Sequence, residues 1–140
     1  MVMGLNQTAA AFGHALKLNV STARSHYNVS AFYAWLWPPL RLGQYVCTTS
    51  RDGEWIAYAT WAYLTEGAER RLVEEDPPFI PLADWNEGDR LWIMDFVSPF
   101  LPPLVLAKAL GTRLAGEHRF YKRLVRTPSG HIRAVRSRSI

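Results

Sequence analysis

The chain has 140 residues, of which 49% are hydrophobic and 20% charged, enough for one domain with a real core and ordinary for a soluble globular protein. A single cysteine, Cys47, excludes an intramolecular disulfide; no apolar run reaches membrane-span length and no secretory signal is evident, so a cytoplasmic location is expected. Residues 1–100 carry seven Lys/Arg and eleven Asp/Glu, a net of −4, whereas residues 101–140 carry nine Lys/Arg and one acid, Glu117, a net of +8, which suits an acidic partner or a solvated sheet edge.

In chain order, Leu5, Ala9, Phe12 and Leu16 fall at helical spacing and predict a first helix within residues 1–18. The polar stretch 19–26 predicts a loop rich in helix caps. A second helix is expected from Asn28 or Val29 to Trp37, where Pro38-Pro39 ends it. His26 sits just before that helix, as a surface residue or as a general base. Asp52-Gly53, between β-rich runs at 44–49 and 54–63, predicts a hairpin. In its second strand Trp55, Ala57, Ala59, Trp61 and Tyr63 share a face. Small alanines beside tryptophans leave room for a ligand or a packed helix. Cys47 reads as a small core residue. Thr65 caps a third helix reaching about Glu74, followed by a loop to Gly88.

Residues 89–100 then read as a buried central strand, apolar on both alternating faces. Asp95 interrupts the apolar run. By period-two alternation it shares a face with Ile93 and Val97. A carboxylate there is either a satisfied core residue or a perturbed active-site group. A fourth helix is expected from Leu104 to about Leu114, with Gly116 as its stop. Strands at 120–126 and 131–138 flank a turn at 127–130. The whole is an α/β (α+β) chain, a single domain over residues 1–140, with a single mixed sheet flanked by helices. No zinc spacing, phosphate-binding loop or nucleophile elbow is present, so none of these motifs calls for a metal or a cofactor, and the residues alone leave the function open.

Three segments carry a resemblance: Pro38 to Tyr45, Ala59 to Ala62, and above all Ala83 to Phe100. The last combines Asp84-Trp85, Gly88-Asp89-Arg90, Trp92, Asp95 and Ser98-Pro99-Phe100. Together they resemble the RTX toxin-activating lysine acyltransferases. The resemblance implies a fold similar to the GNAT acyltransferases. It implies transfer of a fatty acyl group from acyl carrier protein, the acyl-donor co-substrate, to internal lysines of an RTX protoxin. It also implies a catalytic His and Asp. Asp95 matches the Asp. Read without gaps, Ser21-Thr22-Ala23-Arg24 occupies the Ser-x-x-His pattern and puts Arg24 where the His would stand. His26, two residues later, is the expected base. Alternatives are a catalytically lapsed relative that only binds carrier or protoxin, and a basic nucleic-acid-binding module resting on charge alone, its cluster running from His118 to Arg123. Oligomeric state is open, a homodimer included. On this reading Asp95→Asn leaves a folded protein of equal or higher melting temperature that has lost turnover.

Overall fold

A computed structural model describes residues 2–75, 77–115, 120–126 and 132–139. Four helices, α1 (Leu5–Asn19), α2 (Val29–Arg41), α3 (Glu66–Glu74) and α4 (Pro103–Leu114), accompany five strands. The strands are β1 (Tyr45–Thr49), β2 (Trp55–Leu64), β3 (Arg90–Val97), β4 (Phe120–Arg126) and β5 (Ile132–Ser139). They form one sheet in the order β1-β2-β3-β4-β5. Only the β3/β4 pair is parallel, so the α/β architecture with one mixed sheet is borne out. The expected helix stop at Gly116, the turn at 127–130, and His118 and Arg119 of the basic cluster lie outside the described residues.

Local chemistry sets the element ends. The Asn28 side chain accepts from the Ala31 amide at 2.8 Å and starts α2, and Thr65 accepts from Ala68 at 3.2 Å and starts α3. Gly53 has φ 85°, which the β1–β2 turn requires and which side chains resist. The expected end of α2 at Pro38 is corrected: the helix runs through both prolines to Arg41. Each proline lacks an amide donor, yet both sit in the last turns, where their carbonyls still accept from Leu42 and Gln44 at 3.1 and 2.8 Å. Both prolines and Leu40 are buried, so packing offsets the two missing bonds. Gly43, with φ 70°, then stops the helix.

The sheet separates two layers. On one face α1 and α2 pack Phe12, Phe32, Leu36 and Leu40 over Tyr58 and Val97, while α3 packs Ala68 and Leu72 with Leu64, Trp85 and Trp92. On the other face α4 lays Leu106, Leu110 and Leu114 against Ala57, Ala59, Trp61 and Ile93. The space beside the alanines of β2 is therefore filled by a helix. Trp55, Trp61, Trp85 and Trp92 are buried and serve the core. Glu69 of α3 ties the layers to the sheet, accepting from Arg90 at 2.7 Å, Trp92 at 2.7 Å and Lys122 at 3.1 Å. Lys122, taken from sequence as part of a basic patch, is thus engaged within the fold.

Candidate active site

The pairing of β2 with β3 slips by one residue in the middle of both strands. Thr60 stands opposite Asp95 and Trp61 opposite Ile93, leaving Met94 without a partner on β2. This is a β-bulge, a feature that re-aims side chains. Its effect is specific. Ile93 points into the α4 layer, whereas Met94 packs near Trp35 and Trp85 on the α2 side. Asp95 bonds Trp35 and Tyr58 on that same side. The expectation that Asp95 and Ile93 share a face is therefore corrected, because the extra residue breaks the alternation between them.

Asp95 is 7% exposed and accepts four hydrogen bonds. Its Oδ1 takes Arg24 Nη1 at 3.0 Å and Trp35 Nε1 at 2.8 Å. Its Oδ2 takes Arg24 Nη2 at 3.1 Å and the Tyr58 hydroxyl at 3.0 Å. The guanidinium thus meets the carboxylate with two parallel bonds, the fork geometry that favours arginine over lysine. Arg24 Nη2 also reaches Asn19 Oδ1 at 2.8 Å and the Tyr58 oxygen at 3.0 Å. Asn19 donates to that oxygen at 2.8 Å and to the Ala15 carbonyl at 2.9 Å. The network joins α1, the turn before α2, α2, β2 and β3. Thr60, opposite Asp95, has a buried hydroxyl with no hydrogen-bond partner among the described residues.

Electrostatics agree with the geometry. Burial works against the Arg24 charge, but Asp95 and Tyr58 together outweigh it and hold the guanidinium above its ordinary value. Burial, then the Asp95 charge, pushes the Tyr58 phenol well up, so Tyr58 is a neutral donor. Burial also raises the Cys47 thiol, in keeping with a packing residue.

The segment that carries Arg24 is a short 3₁₀ turn, Ala23–His26, capped by Thr22, whose hydroxyl accepts from the Arg24 amide at 3.1 Å. His26 ends this turn. It is exposed, with its ring edge-on to Tyr27 at 4.8 Å between centroids. His26 lies two residues past Arg24, and among the described residues it is not a hydrogen-bond partner of Asp95. Sequence reasoning missed Arg24 as that partner, along with Asn19, Trp35 and Tyr58. One signal was available: a buried carboxylate calls for a cation, and Arg24 is the only Lys or Arg between Lys17 and Arg41. Among the described residues no helix is long and apolar enough to cross a membrane, and no group of three His, Cys, Asp or Glu stands close enough to hold a metal ion.

Comparison with known proteins bears directly on this arrangement. The model of the RTX toxin acyltransferase family matches residues 5–137. An RTX-II toxin-activating lysine-acyltransferase of Actinobacillus pleuropneumoniae is 33% identical, over 64% of this chain and 67% of the relative. A protein-lysine myristoyltransferase of Escherichia coli is 33% identical, over 70% of this chain and 56% of its own length. A protein-lysine palmitoyltransferase of Bordetella bronchiseptica is 39% identical, over 44% of this chain and 32% of its own length. The matches thus span between about a third and two thirds of these relatives.

Proposed function

Since the chain belongs to the RTX toxin acyltransferase family, we propose that it transfers a fatty acyl group from acyl carrier protein to an internal lysine of an RTX protoxin. The observation that carries this reading is the family match over residues 5–137, within which the most specific segment forms β3 and delivers Asp95 to a polar network beneath α2. In the reaction a lysine Nζ attacks the thioester carbon, the C–S bond breaks, and an amide forms as the carrier's thiol leaves. The lysine must shed a proton, since its reference pKa is about 10.4. His26 is the proposed acceptor, being the exposed imidazole on the turn that Arg24 anchors. Asp95 acts through Arg24, holding that turn in place. Neither a metal nor a redox cofactor takes part, and the reaction runs in the cytoplasm.

A second reading has its own support. A guanidinium does not accept protons, and Arg24 spends both carboxylate oxygens of Asp95. That favours a relative that binds carrier or protoxin without turnover. Single-turnover acylation with acyl carrier protein and protoxin separates the two. On the first reading the wild type transfers acyl groups and His26→Ala slows transfer roughly 10²–10⁴-fold with carrier binding intact. Equal rates in both proteins remove His26 as the base. A silent wild type whose Arg24→His variant gains transfer establishes the second reading.

The acidic carrier has a candidate contact. Arg123 on β4 and Arg136 on β5 are register partners, and Arg136 is exposed. Like charges directly opposite repel, and an anion between them relieves the repulsion. Reversing both to Glu is expected to raise the apparent KM for acyl carrier protein several-fold and flatten its salt dependence, with turnover at saturation little changed. A KM insensitive to both changes makes the pair a solvated surface.

A further inference from the structure

We infer that Arg24 is itself a catalytic residue of this chain, donating a hydrogen bond to the thioester carbonyl oxygen as negative charge develops on it. The inference rests on the acyl-transfer reading above. It starts from an inventory of donors. A guanidinium carries five N–H groups. One Nη1–H is spent on Asp95 Oδ1, and the Nη2 hydrogens on Asp95 Oδ2, Asn19 and Tyr58. The Nε–H and the second Nη1–H have no acceptor among the described residues. Exposure separates Arg24 from most of its partners. Its side chain is 22% exposed, against 6% for Asp95, while Asn19 and Tyr58 are fully buried. Arg24, like Trp35, brings this buried network to solvent, and it arrives there with donors to spare.

The network supplies what an oxyanion donor needs. Bonds to Asp95, Asn19 and Tyr58 fix the guanidinium before any substrate arrives, so no reorganisation is needed during reaction. Pairing with Asp95 offsets its net charge but leaves the N–H dipoles intact. Its placement also fits a division of labour. Arg24 and His26 lie on one 3₁₀ turn, two residues apart. When the lysine Nζ bonds to the acyl carbon, the carbonyl electron pair moves to oxygen, which Arg24 stabilises. The electron pair then returns, the C–S bond breaks, and the proton taken from the lysine by His26 passes to the departing thiolate.

The test uses Arg24→Lys in the full chain with acyl carrier protein and protoxin. Lysine keeps a cation beside Asp95 but lacks the fork. A role confined to holding the fold predicts a loss of turnover only in proportion to the loss of folded protein. The oxyanion role predicts, in the folded variant, a kcat loss of about 10²-fold and a KM for acyl carrier protein within about twofold. It further predicts an equal fold-loss in the slow hydrolysis of the acyl–carrier thioester without protoxin, because water attack on that carbonyl passes through the same oxyanion. If Arg24→Lys melts early, kcat is taken at a temperature where the variant is fully folded, and Arg24→Gln is measured under the same conditions. An active wild type whose folded variants keep turnover within about threefold overturns the Arg24 assignment alone. A wild type that neither acylates protoxin nor hydrolyses the acyl–carrier thioester overturns the acyl-transfer reading and this inference with it.

Discussion

Asp95→Asn is expected to lower the stability of the fold by about 3–5 kcal/mol, the cost of breaking one side of a buried ion pair. Four donors converge on the two carboxylate oxygens. An asparagine replaces one oxygen with an amino group. Placed at Oδ1, that group faces Arg24 Nη1 and the Trp35 indole. Placed at Oδ2, it faces Arg24 Nη2 and the Tyr58 hydroxyl, whose oxygen already accepts from Arg24 and Asn19. Either way a donor meets a donor, and Arg24 keeps its charge without a counter-ion. For a chain of this size the loss corresponds to a fall in melting temperature on the order of 10 °C or more. Adding Arg24→Gln removes the stranded cation and should recover part of the loss, a coupling a double-mutant cycle measures. An Asp95→Asn protein melting at or above the wild-type temperature would refute the account. Sequence alone predicts the opposite sign, because it lacks the partner that makes the charge worth keeping.

Gly88→Ala is expected to be comparably damaging for a different reason. The Gly88 amide donates to the Tyr63 carbonyl at 2.9 Å, which presses this segment onto the end of β2. A Cβ there would fall inside van der Waals contact with the Leu64 carbonyl and the Thr65 amide. Those are backbone atoms, at the junction of β2 and the cap of α3, and they cannot swing aside as a side chain does. Overpacking typically costs about 1–3 kcal/mol and more when the backbone must move, so a loss of about 3 kcal/mol is expected. The measurement is chemical denaturation of the wild type and Gly88→Ala. A midpoint unchanged within error counts against the close approach. This also explains in physical terms why glycine belongs in the Gly88-Asp89-Arg90 segment.

Much of the fold was legible because local signals agreed with tertiary demands. Thr65 has the residue type of a cap and caps α3, and Asp52-Gly53 has the residue types of a tight turn and joins β1 to β2 as a hairpin. The alternating Trp and Ala of β2 announced a face with room beside it, though only packing identified α4 as the occupant. The end of α2 is not legible at Pro38-Pro39, because burial of the two prolines is a property of the assembled core. The site was half legible. Asp95 stood out as a carboxylate in an apolar strand, but its partners come from positions far earlier in the chain. Arg24 lies 71 residues away and Trp35 lies 60. No periodicity connects such positions. The bulge at Met94 was equally invisible, since a one-residue slip leaves no mark on composition.

That slip makes β3 a strand with two inside–outside phases. Before it, Leu91 and Ile93 keep step with the layer beneath α4. After it, Asp95 and Val97 keep step with the layer beneath α1 and α2, and Phe96 is left 41% exposed. In an unbroken ladder Met94 would stand opposite Thr60, and Asp95 would stand opposite Ala59 on the α4 side. The carboxylate reaches Arg24 because of how many residues precede it, not because of which ones they are. Apolar side chains on either half of β3 can therefore be exchanged while the site survives. A change in the number of residues between the last regular pair at Ile93 and Asp95 cannot be absorbed in the same way, because it resets the phase of everything that follows.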